Sequence, residues 1–107
     1  MNVLVLRSKL AERHIRDIVR YYRREYPESD RANRFLDDLE EIGKLLSKQP
    51  SIGRVHYIDR KGNEVRFRSL LNFPYYVFYR VNDDETKVVV LGLVHHKRSK
   101  DKWPGKE

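Results

Sequence analysis

Two arginines stand two residues apart, Arg66 and Arg68, in the string Glu64-Val-Arg-Phe-Arg-Ser-Leu-Leu. Two histidines adjoin at His95 and His96, and Lys97 and Arg98 follow at once. An arginine stays charged and offers a planar fork to phosphate or carboxylate. Histidine changes charge near neutrality, so it can take and return a proton. On a strand, residues i and i+2 share a face, and paired arginines there repel unless they meet an anion. These residue types suit holding a polyanion, or moving protons beside one. Tyr79 adds a hydroxyl and Trp103 a ring able to stack.

Each of these residues also has a plainer reading. Adjacent histidines on a strand point to opposite faces, so at most one of His95 and His96 joins a common site. Tyr75, Tyr76, Phe78 and Tyr79 are first of all packing residues of a strand, with the Tyr79 hydroxyl free to act at an open sheet face. His14 and His56 receive no role. The chain has no cysteine, which removes disulfides, thiolate nucleophiles and cysteine-rich zinc sites. The four histidines lack carboxylates at ligand spacing, so neither a metal nor a cofactor is expected.

The elements that must position these residues follow from periodicity. Residues 2–7 read as a short strand, and Ser8 can cap a helix. Ala11, Ile15, Ile18, Tyr22 and Tyr26 form one apolar stripe, with Arg13, Arg16, Arg20, Arg23 and Arg24 opposite. Pro27 stops that helix, and Ser29 or Asp30 can start the next. In the second helix Ala32, Phe35, Leu36, Leu39, Ile42 and Leu46 face inward. Asp37, Asp38, Glu40 and Glu41 count among its outward positions. Pro50 and Gly53 close it. Residues 54–63 read as a polar loop with room for a minor strand around Val55 to Ile58. Strands follow at Val65–Leu71, Tyr75–Val81 and Val88–His95, the last two joined by a turn at Asn82–Glu85. The fold class is α+β: an N-terminal strand, an αα-hairpin, then a three-stranded antiparallel meander forming one sheet with the helices on one face. The other face is left for solvent or a partner.

At 107 residues the chain is read as one domain, 1–107, ending in a basic tail, 97–107. No apolar run approaches the roughly 18 residues of a membrane span, and residues 1–7 lack the marks of a leader, so a cytoplasmic protein is expected, without membrane contact. Net charge is +7, shared unevenly. Residues 1–52 hold 11 Lys/Arg against 9 Asp/Glu (+2), and residues 53–107 hold 12 against 7 (+5). That asymmetry argues for a polyanionic partner, a nucleic acid or an acidic protein, and keeps a plain non-catalytic nucleic-acid-binding module as the weaker alternative.

Over nearly its whole length the sequence resembles the RelE/ParE superfamily of type II toxin–antitoxin toxins. The likeness rests on the helical hairpin, Pro50-Ser-Ile-Gly-Arg54, the arginine strand at 66–68, Tyr76-Val-Phe-Tyr-Arg-Val81, and Val90-Leu-Gly-Leu-Val-His95 with Lys97-Arg98. It implies a toxin with two alternative activities. RelE-like members cut mRNA on the ribosome, which requires activation of a 2′-hydroxyl, cationic support for the phosphate, and a proton for the leaving oxygen. Arg66, Arg68, His95, His96 and Arg98 would then be the catalytic candidates. ParE-like members poison DNA gyrase without a catalytic group of their own. Arg66, Arg68, Tyr79, Lys97, Arg98 and Trp103 would then form the target-binding set. RelE-type enzymes carry a pattern like Arg-Leu-Val-Tyr where this chain begins with Tyr76, and they have a tail tyrosine where this chain has Trp103. Both departures favour the ParE-like branch. The resemblance also implies a cognate antitoxin, and contact with operator DNA only through that antitoxin.

Overall fold

The computed structural model describes residues 2–82, 84–100 and 103. Its elements are β1 (Leu4–Arg7), α1 (Lys9–Glu25), α2 (Arg31–Lys48), β2 (Arg54–Ile58), β3 (Glu64–Ser69), β4 (Tyr75–Val81) and β5 (Lys87–His95). The strands form one sheet in the order β1-β5-β4-β3-β2. β1 runs parallel to β5, and every other neighbouring pair is antiparallel. The α+β architecture is the one expected, with one addition: residues 54–58 are a full edge strand, so the meander has four strands. The minor strand expected around Val55 to Ile58 is this edge strand, which pairs on one side only and leaves Val55 and Ile58 exposed. Asp59 makes the hairpin possible, its Oδ1 accepting the N–H groups of Lys61 and Asn63. Gly62 supplies the left-handed φ of 85° that the turn requires.

Ser8 caps α1 by accepting the Ala11 N–H at 3.0 Å, and the helix ends at Tyr26, just before Pro27. At the start of α2 the Ser29 hydroxyl accepts the Arg31 N–H at 3.0 Å. Both helices turn their apolar stripes onto one sheet face. Phe35 and Leu46 are fully buried there beside Ala11, Ile15, Tyr22 and Leu39. From the sheet, Val77, Tyr79, Val81, Val88, Val90 and Leu93 complete the core. Burial of this kind is worth roughly 1.5–3 kcal/mol for each large apolar side chain.

One expected outward position is buried. Asp38 is 7% exposed, and its carboxylate accepts the backbone N–H of Asn72 at 2.9 Å and the Asn72 side-chain amide at 3.0 Å. A helical wheel marks Asp38 as polar surface; the loop between β3 and β4 folds over it and uses the charge as a cap.

Gly43 lies inside α2, and a Cβ built on it would have no atom within 4 Å. Glycine in a helix interior costs about 0.5–1 kcal/mol relative to alanine. Gly43→Ala is therefore expected to stabilise the fold by about that amount, read as a rise in urea midpoint at unchanged m. A lowered midpoint would mean that the space beside Gly43 is needed.

Candidate functional site

Residues opposed in neighbouring strands point to the same face. Arg66 opposes Tyr79 and Arg68 opposes Val77, so both arginines lie on the helix side, beyond the edge of the helices' cover. Arg66 is not free to meet an anion. Its Nη1 donates to the carbonyls of Ser51 (2.9 Å) and Gly53 (2.6 Å), and its Nη2 donates to Glu64 Oε1 at 2.8 Å. Only 14% of its side chain is exposed. Tyr79, expected at the open face, is fully buried, and its hydroxyl accepts the Gly53 N–H at 2.8 Å. Burial pushes its hydroxyl pKa up, against the opposing pull of the Gly53 amide. Together Arg66, Tyr79 and Gly53 clamp the segment after α2 onto the sheet. Arg68 stands beside this clamp, half-buried, and no described residue pairs with it.

The two histidines part as strand geometry requires. His95 lies edge-on to Tyr75 at 5.2 Å, on the helix side. Its Nδ1 accepts the Lys97 N–H at 3.1 Å, which leaves the ring proton on Nε2. Desolvation, then the nearby His96 and Lys97, lowers its pKa. His96 turns the other way, 4.4 Å from the Tyr76 ring, with Nε2 at 2.9 Å from Ser69 Oγ. The Ser69 hydroxyl has one proton and two acceptors in reach, the Leu70 carbonyl at 2.9 Å and His96 Nε2, so the direction of the His96 contact follows the imidazole tautomer.

Lys97 and Arg98 are exposed in the turn after β5, and the Arg98 charge is felt by His14 on α1. Trp103 lies on the face opposite the helices, 5.0 Å from Phe67, 5.2 Å from Phe78, 5.4 Å from His56 and 5.5 Å from Tyr76. Its neighbours in the expected tail, residues 101, 102 and 104–107, fall outside the described residues.

The candidates are thus divided among three places. Arg66, Arg68 and Tyr79 belong to the clamp beside the helices. His95 and Arg98 approach the helical side of the β5 end. His96 and Trp103 sit on the opposite face. A groove that sequence reading did not single out, of about 1020 Å³, runs between the helical hairpin and the β4 start, lined among others by Tyr21, Tyr26, Arg31, Arg34, Tyr75 and His95. Its one visible sign was the tyrosine run at 21, 22 and 26. Among the described residues no three His, Asp or Glu side chains gather as a metal site, and no helix is long and apolar enough to cross a membrane.

Comparison with known proteins adds a family. Residues 5–100 match the family described as ParE toxin of the type II toxin–antitoxin system parDE. No curated protein matches the sequence. Among solved structures, the chromosomal ParDE system of P. aeruginosa aligns with a TM-score of 0.67 at 17% identity, covering 87% of this chain and 95% of that one. The RelBE2 toxin–antitoxin complex of Mycobacterium tuberculosis aligns at 0.57 and 23%, covering 89% and 99%. The archaeal RelE–RelB complex of Pyrococcus horikoshii aligns at 0.53 and 17%, covering 92% and 100%. At these identities the likeness is one of fold.

Proposed function

The chain belongs to the ParE family of type II toxin–antitoxin toxins, and on that basis we propose that it arrests growth in the cytoplasm by acting on DNA gyrase without cutting nucleic acid itself. A cognate antitoxin neutralises it and is the only route by which it meets operator DNA. The observation that carries the non-catalytic reading is the dispersal of the proton-transfer candidates. His95 and His96 occupy opposite faces, and Arg66, which opposes Tyr79 across β3 and β4, is spent on Glu64 and two carbonyls. Strand cleavage needs an acid–base group and a phosphate clamp at one spot. An antitoxin partner is supported by the similar structures, which are those of toxin–antitoxin systems and complexes. A net charge of +7 favours an acidic one.

The target-binding residues in this reading are the unpaired, half-buried Arg68 and the exposed Lys97 and Arg98, with Trp103 on the opposite sheet face, while Arg66 and Tyr79 serve by holding the clamp. Arg68→Ala is expected to weaken toxicity with stability unchanged to within about 0.5 kcal/mol, as for other surface changes. Arg20→Ala with Arg24→Ala, on the outer face of α1, is expected to leave both unchanged. Survival curves on induction, paired with thermal unfolding of each purified variant, measure this. An Arg68→Ala toxin as potent as its parent would remove that residue from the target surface.

A ribosome-dependent endoribonuclease is the second reading, favoured by His96 and Trp103 sharing the open face with Tyr76. Purified gyrase and a translation extract separate the two. Loss of supercoiling with intact mRNA is the expected result; undisturbed supercoiling with codon-linked cuts would replace this reading by the second.

A further inference from the structure

Strand β5 is interrupted, and α1 repairs the interruption. Phe78 pairs with Gly92 but Tyr79 pairs with Val90, so Leu91 is an extra residue on β5. The bulge leaves Leu91 out of the β4 ladder, and β1 ends at Arg7 opposite Val90, so backbone groups of β5 beyond Val90 on that side must be bonded elsewhere. Both partners come from α1 and its cap. Ser8 Oγ donates to the Leu91 carbonyl at 3.1 Å, and the Leu93 N–H donates to Nδ1 of His14 at 3.1 Å. Gly92 makes room for the ring: a Cβ there would lie 3.0 Å from His14 Nδ1 and 3.1 Å from its Cε1. The imidazole therefore rests directly on the strand backbone.

We propose that His14 is a pH-sensitive latch between α1 and β5, closed while its ring is neutral and released by protonation. Only an unprotonated Nδ1 can accept the Leu93 N–H; in the imidazolium both nitrogens are donors, and N–H would face N–H. The charged groups around the ring are Arg13 and Asp17 from α1 and Arg98 from the turn after β5. Burial is the largest influence and lowers the His14 pKa; Arg13 and Arg98 lower it further, and Asp17 opposes them. The unfolded chain therefore takes up this proton more readily than the folded one. The latch's contribution is fully present above the ordinary value of 6.5 and is lost as pH falls from there through the lowered folded value. Release acts on the strand whose end carries His95, His96, Lys97 and Arg98, so acid loosens the support of the cationic turn. The latch is independent of which target the toxin takes.

The test uses the whole chain and His14→Asn, whose side-chain oxygen can accept the Leu93 N–H but does not titrate. Thermal unfolding is followed between about pH 8 and pH 5, the range in which histidine charges. The parent's melting temperature is expected to fall across this range more steeply than the variant's, with the two alike at the alkaline end. His95 is present in both and cancels in the difference. Should the variant not fold, the unaltered protein decides by NMR. Its His14 should titrate below 6.5, and as it does so the Leu93 amide should lose about tenfold of its exchange protection for each unit of depression. Parallel melting curves for the two chains would overturn the latch. So would a His14 that titrates at its ordinary value while Leu93 stays protected.

Discussion

Phe35→Ala is expected to cost about 3–5 kcal/mol, the usual range when a buried aromatic ring is truncated. Against a typical total of about 5–15 kcal/mol, that leaves a marginal fold. Phe35 is completely buried at the centre of an aromatic cluster. Its ring lies 5.9 Å from Tyr22, 5.5 Å from Phe73 and 5.8 Å from Tyr75, edge-on in each case. One side chain thus ties α1, α2, the β3–β4 loop and β4 together. Its neighbours cannot collapse into the gap, because Tyr22 and Phe73 are already packed against each other at 5.6 Å. Calorimetry should show the melting temperature falling by about 12 °C or more, at roughly 4 °C per kcal/mol for a domain of this size. Toxicity should fall with folded population and return at lower growth temperature. A drop smaller than about 4 °C would show that the cluster relaxes around the hole and that the core is held elsewhere.

Gly53→Ala is the second large effect, and it acts by crowding. A Cβ on Gly53 would fall 2.5 Å from the Tyr79 hydroxyl and 2.8 Å from the Phe67 carbonyl. Neither can retreat: the hydroxyl belongs to a fully buried tyrosine, and the carbonyl belongs to β3, which is paired on both sides. Overpacking of this sort costs about 1–3 kcal/mol, and separating the Gly53 N–H from Tyr79 adds about 1–3 kcal/mol more. Arg66 would lose its seat on the Ser51 and Gly53 carbonyls as well. The expected result is a loss of roughly 2–6 kcal/mol on summing those two terms. Arg66→Ala should destabilise the same segment by a smaller amount. If Gly53→Ala melts with its parent, the segment after α2 moves aside and the clamp is not a unit.

Much of the scaffold was legible in the chain because local rules and burial agree there. The stripes through Ala11, Ile15 and Tyr22 and through Ala32, Phe35, Leu39 and Leu46 repeat at helical spacing, and all seven residues are buried. The valine-rich run at 88–94 reads as an interior strand, and β5 has strands on both sides. What misled was the face. Counting alternation along β4 puts Tyr79 on one face or the other only once register is known. The core valines at 77 and 81 and the bulge at Leu91 decide that its hydroxyl points inward. Arg66 reads as a free cation from its own strand, but its partners come from residues 51 and 53, more than ten positions earlier.

The residue pattern by itself determined two amphipathic helices, the strand-rich second half and an excess of positive charge, because those depend on spacing and composition alone. Only the tertiary structure decided which cations are spent and which stand free. It also decided that His95 and His96 serve different faces, and that His14 bonds an amide seventy-nine positions away. A hydrogen bond across that distance leaves no periodic trace in a sequence. It exists because β1 stops at Arg7 and leaves an N–H of β5 to α1, and only the folded chain brings the two together.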